Sequence, residues 1–218
     1  MALFSTLIGQ AQAAIIVSEV APWSSGNSPV GADWFELTNT GALAVNIAGW
    51  KVDDNSNSFG SSVALTGVTS IAAGQSVIFI ESATPATTNA SFVNTWFGTT
   101  PPAGLTIGSY SGSGIGLSTV GDAVNIYDTA GVLQSNVIFG ASTTVAPFRT
   151  FDNAAGLTGT ITTLSSVGIN GAFAALNDGV EIGSPGTITA PVPEPCEYAM
   201  LLAGLGVVGA VVRRRRRG

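Results

Sequence analysis

Short runs in which apolar and polar residues alternate recur along this 218-residue chain, with glycine or asparagine turns between them. Alternation is the pattern of a β-strand that is buried on one face only. Residues 15–20, IIVSEV, form such a run, and strict alternation places Ile16, Ser18 and Val20 together on one face. Residues 33–38, DWFELT, form the next one. Turn signals that return about every 8–12 residues are typical of an all-β sandwich.

Two later segments indicate the same fold class. Residues 76–81, SVIFIE, are almost entirely apolar, which predicts a strand that is buried on both faces of a sheet. Residues 123–128 and 132–139 are two further apolar-rich runs, and the turn DTAG separates them. This arrangement predicts a β-hairpin within the sandwich.

One segment, residues 89–97, breaks the strand pattern. In its sequence NASFVNTWF, four apolar side chains recur at the spacing i, i+1, i+4 and i+5, which is one face of a short helix. These side chains are Phe92, Val93, Trp96 and Phe97. We predict that this helix caps one end of the sandwich.

Composition and charge narrow the classes of function. Only 9% of the residues are charged, so hydroxyl and amide groups must keep the folded surface soluble. Between residues 15 and 190 the chain has eleven acidic and two basic residues, a formal charge of −9. Phosphate backbones would repel such a domain, and we expect no nucleic-acid partner.

The chain has no histidine, and its single cysteine is Cys196. Histidine-based general bases, Ser-His-Asp and Cys-His systems and nearly all zinc sites are therefore excluded. A single cysteine cannot form a disulfide within the chain. We expect a protein that is not an enzyme and that holds no cofactor, with one metal as an open alternative.

That metal is calcium, in the polar loop DDNSNSFG at residues 53–60. Asp53, Asn55 and Asn57 have the alternating oxygen spacing of calcium loops. The closing glutamate of an EF-hand is absent, because the twelfth position from Asp53 is Ala64. The other interpretation is a turn in which Asp and Asn side chains cap their own backbone.

Two further candidate sites rest on carboxylates and on an aromatic ring. Glu19 and Glu36 fall on predicted strands, and two carboxylates about 5–10 Å apart can hydrolyse a glycosidic bond. In a sandwich such residues are more often solvated positions on a polar face. Trp23 lies in a loop, where an exposed ring could stack on a ligand.

The start of the chain has features of a secretory leader. Residues 3–8 form a short apolar stretch, and Ala11-Gln12-Ala13 fits the small-x-small pattern of a cleavage site. A basic start and a full-length apolar core are missing. We expect residues 1–14 to be a truncated signal peptide whose true start lies upstream, with a buried first β-strand as the alternative.

The last stretch, residues 190–218, has three parts. Pro193, Glu194 and Pro195 form a stiff tripeptide, and residues 198–212 carry no charge. An unbroken basic block follows: Arg213, Arg214, Arg215, Arg216 and Arg217. An apolar helix followed by arginines is a stop-transfer signal, which places the rest of the chain outside the cytoplasm. A helix of this length spans roughly 22 Å against about 30 Å of hydrocarbon, which suits a transient single-pass anchor.

Together these three parts resemble the PEP-CTERM sorting signal of Gram-negative bacteria. The resemblance implies that exosortase, a membrane protease, removes the helix at the inner membrane and releases the mature protein to the cell surface or beyond. It also implies association with exopolysaccharide or biofilm. One departure is Cys196, where the family more often has Ser, Ala or Gly. An ordinary tail anchor would explain the helix and the arginines but not the tripeptide.

A second resemblance covers roughly residues 15–186. The segments IIVSEV, DWFELTNTG, GWKVDD, IAAGQSVIFIE and GDAVNIYD, and the closing Ser184-Pro185-Gly186, are similar in their order to the lamin-tail domain (LTD), with an insertion in the middle. The resemblance implies an immunoglobulin-like β-sandwich in which Trp34 and Trp50 are core residues.

We therefore expect a signal peptide at 1–14, an LTD-like β-sandwich with one short helix at 15–189, and a sorting signal at 190–218 with a transmembrane helix at 198–212. The expected function is that of an exported, non-enzymatic surface or extracellular-matrix protein with a structural or adhesive role. One alternative is a polysaccharide- or protein-binding module, with or without calcium. Another is a glycan hydrolase that uses Glu19 and Glu36.

Overall fold

The computed structural model describes residues 15–23 and 30–187. These residues form fifteen strands and one helix, in the following order: β1 Ile15–Ala21, β2 Trp34–Asn39, β3 Val45–Asn46, β4 Lys51–Asp53, β5 Val63–Ala64, β6 Ser70–Ile71, β7 Ser76–Glu81, α1 Pro85–Phe97, β8 Ile107–Tyr110, β9 Asp122–Tyr127, β10 Leu133–Phe139, β11 Phe148–Arg149, β12 Phe151–Asp152, β13 Gly159–Ile161, β14 Phe173–Ala174 and β15 Glu181–Gly183. The predicted leader, residues 1–14, and the predicted sorting signal, residues 190–218, lie outside the described residues.

Two five-stranded sheets form the body of the fold. Sheet I has the strand order β12-β1-β2-β7-β8, and sheet II has the order β13-β10-β9-β4-β5. Strands β7 and β8 run parallel, as do β10 and β13, and the other neighbours within these sheets are antiparallel. The predicted hairpin is confirmed as β9 and β10. Two small sheets, β11-β15-β14 and β3-β6, complete the fold.

Sheet I is apolar on both faces, so the described residues form two cores. Phe35 on β2 and Phe79 on β7 belong to the main core, together with side chains from sheet II such as Val124. Trp34 and Ile78, one position along each strand, belong to a second core on the outer face of sheet I. The prediction that β7 is buried on both faces is confirmed, because its successive side chains alternate between the two cores.

Helix α1 covers the outer face of sheet I. Its buried side chains include Phe92, Trp96 and Phe97, which pack in the second core with Trp34. The predicted helix is confirmed, and it begins four residues before residue 89, with Pro85 in its first turn. The predicted position of the helix at one end of the sandwich is wrong. The helix lies on the outer face of sheet I, because the apolar side chains of that face need a covering layer. Among the described residues, no helix is long and apolar enough to cross a membrane.

A β-bulge interrupts the alternation in β1. Val17 lies opposite Leu37 and Val20 opposite Phe35, and the register shifts between Val17 and Glu19. The extra residue at Ser18 lets Val17 and Val20 both face the main core. Strict alternation, which grouped Val20 with Ser18, is therefore wrong for this strand, and Glu19 points to the outer face of sheet I.

We expect that replacing Trp34 with Ala lowers the free energy of unfolding by about 3–5 kcal/mol, because a buried indole leaves a large cavity. Trp34 is 1% exposed, and its ring lies edge-on to those of Trp23, Phe92 and Trp96 at centroid distances of 6.1, 5.5 and 5.9 Å. Chemical denaturation gives the free energy. Amide exchange in α1 should also accelerate, since the helix loses its main contact.

Leu43→Ala is the control, because Leu43 is 66% exposed and its removal should change stability by less than about 0.5 kcal/mol. Equal losses in the two variants would contradict a stabilising role of the Trp34 ring in the second core.

Candidate functional site

Glu19 and Glu36 lie directly opposite each other on β1 and β2. Each residue is 1% exposed, so the expectation that they are solvated is wrong. The bulge at Ser18 turns Glu19 to the outer face of sheet I, where Glu36 already points. The chain's last described segment, residues 181–187, then lies over both carboxyl groups. We call Glu19 and Glu36, together with this closing segment, the carboxylate clamp.

The closing segment and β11–β12 supply the partners of Glu19. Its Oε1 accepts hydrogen bonds from the Thr150 hydroxyl and from the Ser184 backbone N–H, the latter at 2.8 Å. Its Oε2 accepts a bond from the Ser184 hydroxyl at 3.2 Å. Gly183 makes this approach possible, because a Cβ atom there would lie only 2.6 Å from Glu19 Oε1.

Glu36 accepts hydrogen bonds from the closing segment and from β1. Its Oε2 accepts a hydrogen bond from the Gly186 backbone N–H at 2.6 Å, and its Oε1 accepts one from the Ser18 hydroxyl at 2.8 Å. The Thr38 hydroxyl lies 2.9 Å from that of Ser18 and 2.7 Å from that of Ser76. The closing segment is thus hydrogen-bonded to both glutamates, one through Ser184 and the other through Gly186.

Burial changes the acidity of the pair. Loss of solvation and, second, the neighbouring Glu36 carboxylate together raise the pKa of Glu19 to about 8, against the hydrogen bonds from Thr150 and Ser184. Burial raises the pKa of Glu36 to about 7, against hydrogen bonds from Gly186, Ser18 and Ser76. Two adjacent carboxylates in a low-dielectric site resist double ionisation, so the pair retains a proton near neutral pH.

Groups of the protein occupy the oxygens of the clamp. The carboxyl oxygens of both glutamates accept hydrogen bonds from the protein itself. Neither glutamate lines the open cleft beside α1 or the one on sheet II. Hydrolysis of a glycan would need a water molecule and a sugar between the two carboxyl groups. The two glutamates can hold the closing segment in place and can retain a proton between them.

In the loop predicted to hold calcium, Asp53 and Asn57 each use one side-chain oxygen for internal hydrogen bonds. Asp53 is fully buried, and its Oδ2 accepts bonds from Ser56 Oγ at 2.7 Å and Ser58 N at 2.6 Å. Asn57 Oδ1 accepts the Tyr127 hydroxyl, and the backbone N–H of Asn55 donates to Asp122. This is the turn interpretation, in which side chains cap the backbone. Residues 15–23 and 30–187 contain no group of three or more acidic, cysteine or histidine side chains placed to hold a metal.

Trp23, the residue expected to contact a ligand, is 0% exposed. Its ring packs edge-on against Trp34 and near Phe148 in the second core, so it has no surface on which a sugar could stack. Trp34 and Trp50 are buried, in agreement with their predicted core role.

The partners of the two glutamates were not found from the sequence. The closing Ser184-Pro185-Gly186 resembles the end of the lamin-tail domain, but this resemblance does not indicate its contacts. Ser184 binds Glu19 across 165 residues, and Gly186 binds Glu36 across 150. The one usable signal is a run of small residues, GSPG at 183–186, that allows backbone N–H groups to approach a carboxylate.

Two facing sheets with a mixed strand order and one covering helix define a β-sandwich of the immunoglobulin-like class. The family model of the lamin tail domain matches residues 9–141, over half of the chain, and the chain belongs to this family. The match starts within the predicted leader and ends before β11, so the closing segment lies beyond it. No curated protein matches the chain.

We expect the fold to lose stability as the pH rises from about 4.5 to about 8. Unfolded, both carboxyl groups titrate near 4.5, whereas in the fold Glu36 titrates near 7 and Glu19 near 8. Between these values the folded state binds more protons, so raising the pH favours unfolding, with no further loss from this pair above about pH 8. The thermal midpoint, followed by circular dichroism at constant ionic strength, should fall by at least on the order of 10 °C across this window.

Glu36→Gln removes one ionising group with little change of shape, so the same pH series should become flatter. Glu81→Gln, at a partly buried residue at the end of β7, is the matched control and should keep the wild-type slope. A wild-type slope in Glu36→Gln would show that the pair does not set the pH dependence.

A separate test addresses the close approach at Gly183. Gly183→Ala places a methyl group against Glu19 Oε1 and against Thr150, whose Cγ2 is 2.9 Å from the added Cβ. We expect a loss of about 1–3 kcal/mol in unfolding free energy, measured by denaturant titration. Gly116→Ala is the control, because a Cβ there meets nothing within 4 Å. Equal stability of the two variants would mean that the closing segment can move without cost.

Proposed function

We propose that this lamin-tail-family chain is an exported, non-enzymatic protein of the cell surface or extracellular matrix, in which the sandwich has a structural or adhesive role. The few charges and many hydroxyl and amide groups of the domain suit that setting. Its formal charge of −9 between residues 15 and 190 argues against nucleic-acid partners.

One observation carries the proposal: the fold is closed before the predicted sorting signal begins. Glu19 and Glu36 bind the closing segment through Ser184 and Gly186, and Thr187 N donates a hydrogen bond back to the Ser184 carbonyl at 3.0 Å. Pro193 follows six residues after Thr187. Removal of the chain beyond Pro195 would therefore leave every contact described above intact.

The sorting itself rests on the resemblance of the last residues to a PEP-CTERM signal. Pro193-Glu194-Pro195, the uncharged residues 198–212 and the block from Arg213 to Arg217 would be recognised by exosortase at the inner membrane of a Gram-negative bacterium. The anchor would be transient, and the mature form would reach the surface or the extracellular space. Association with exopolysaccharide or biofilm follows from the same resemblance.

The burial of the candidate catalytic pair supports the non-enzymatic part of the proposal. Glu19 and Glu36 are buried, and protein donors occupy their oxygens. A hydrolase that used them would have to displace the closing segment, which would expose two buried carboxyl groups. Of the two alternative functions, binding module and glycan hydrolase, the binding module is supported by an open cleft on sheet II.

We expect the mature protein in the outer or secreted fraction to end near Pro195, because exosortase would have removed the helix and the arginines. Intact mass of the protein isolated from native cells, fraction by fraction, measures this directly. A chain that retains residues 213–217 and stays in the inner-membrane fraction would contradict the proposal and would indicate a permanently tethered domain.

A paired variant tests the recognition signal. Glu194→Ala in the tripeptide should leave the uncleaved mass in the inner-membrane fraction, whereas Thr187→Ala, outside the tripeptide, should be processed normally. Normal processing of both variants would mean that exosortase does not recognise the tripeptide.

A further inference from the structure

An open cleft of about 490 Å³ lies on the outer face of sheet II. It is lined by residues of β9 and β10, by the loop that follows β4, and by the turn before β9. Four asparagines line it: Asn55, Asn57, Asn125 and Asn136. We call it the amide cleft. Its volume falls within the range of about 300–1,000 Å³ that small-molecule sites occupy.

A chain of hydrogen bonds fixes the amide of Asn136. Asp53, Asn125 and Asn136 lie side by side across β4, β9 and β10. Asn136 Nδ2 donates to Asn125 Oδ1 at 2.6 Å, and Asn125 Nδ2 donates to the Asp54 carbonyl at 2.5 Å. Since its nitrogen is engaged, Asn136 contributes its Oδ1 to the cleft as an acceptor.

The loop that follows β4 contributes the complementary groups. Asn57 Oδ1 accepts the Tyr127 hydroxyl at 2.5 Å, which leaves Asn57 Nδ2 as a donor. The backbone of Asn55 is fixed by its N–H bond to Asp122 Oδ1 at 2.9 Å, and its exposed side chain makes no hydrogen bond within the described part of the chain. The cleft thus offers an acceptor, a donor and a complete amide on a backbone that is already ordered.

The carboxylate that lines the cleft, Asp122, has its oxygens occupied by backbone N–H groups. Both carboxyl oxygens of Asp122 accept backbone N–H groups: Oδ1 accepts those of Asn55 and Ala123, and Oδ2 that of Ser118, at 2.9, 2.8 and 2.7 Å. The nearby ammonium of Lys51 lies over the Phe59 ring at 4.7 Å and is not among the lining groups. Asp122 therefore braces two loops, and the groups left for a ligand are uncharged.

Apolar side chains stand beside the amides. Ile138 is 47% exposed and Val120 is 82% exposed, and both line the cleft. A matching ligand combines hydroxyl groups with an apolar face of C–H groups, which is the surface of a pyranose ring. A peptide strand fits less well, because β10 already pairs with β9 on one side and β13 on the other and presents no free edge over residues 137–139.

We propose that the amide cleft binds a neutral hexose unit of a polysaccharide through Asn55, Asn57 and Asn136, with Ile138 and Val120 against the apolar face of the ring. Acidic polymers are disfavoured, because the domain is itself strongly acidic and the cleft has no basic group. No cation takes part. The proposal stands independently of how the tail of the chain is processed.

The test uses the full-length chain in mild detergent on immobilised dextran, mannan, galactan and β-glucan, with alginate as the acidic polymer. We expect retention on at least one neutral polymer, elution by the corresponding free hexose, no retention on alginate and no effect of EDTA. Asn136→Ala and Ile138→Ser should each raise the dissociation constant for that polymer about threefold to tenfold.

Two control variants lie on the same strand outside the cleft lining. Gln134→Ala matches the loss of an amide, and Leu133→Ser matches the loss of a half-exposed apolar side chain, since Leu133 is 44% exposed. Both should bind like the wild type. Because Ile138 is half exposed, Ile138→Ser should fold, which thermal unfolding confirms, and it decides the test if Asn136→Ala does not fold.

Four results would overturn the proposal. These are no retention on any neutral polymer, equal retention of Ile138→Ser and the wild type, stronger retention on alginate than on the neutral polymers, and release by EDTA. The last result would indicate a ligand bridged by a cation instead of direct contact with the amides.

Discussion

The hydrogen bonds between the closing segment and two buried glutamates join the ends of the described fold. Ser184 binds Glu19 across 165 residues, and Gly186 binds Glu36 across 150. A buried carboxyl group without partners costs more than its hydrogen bonds gain, so β1 and β2 are compatible with burial only while the closing segment is in place. The folded unit must therefore extend to this segment, beyond residue 141, where the family match ends.

Local patterns predicted the parts of the fold that depend on local physics. The uninterrupted apolar run of β7 indicated burial on both faces, the turn between β9 and β10 indicated a hairpin, and the spacing of Phe92 and Trp96 indicated a helix. The bulge at Ser18 carries no such signal. Whether Glu19 faces the core or the outer side is decided by the pairing of β1 with β2, and a single extra residue reverses the answer.

The candidate site was less predictable, because its character depends on contacts between distant residues. From the sequence alone, a glutamate on a strand is expected to be solvated. In the fold, a segment about 150 residues later in the chain covers it. The spacing of Asp53, Asn55 and Asn57 fits a calcium loop and a capped turn equally, and the choice is made by the partners, here Ser58 N and the Tyr127 hydroxyl. Trp23 follows a strand in sequence but packs in the second core against Trp34 and Phe148.

The two outer faces of the sandwich differ in a way that bears on function. On sheet I, α1 and the closing segment cover Trp34 and the glutamates, and the carboxyl groups of the glutamates accept hydrogen bonds from the closing segment. On sheet II the loop after β4 covers Asp53 but stops short of Asn136 and Ile138, which remain accessible beside uncommitted amides. Covering the outer face of sheet I stabilises the domain, while amide groups stay accessible on sheet II. The proposed hexose would therefore meet the sheet II face, and the contacts on sheet I determine whether the domain stays folded.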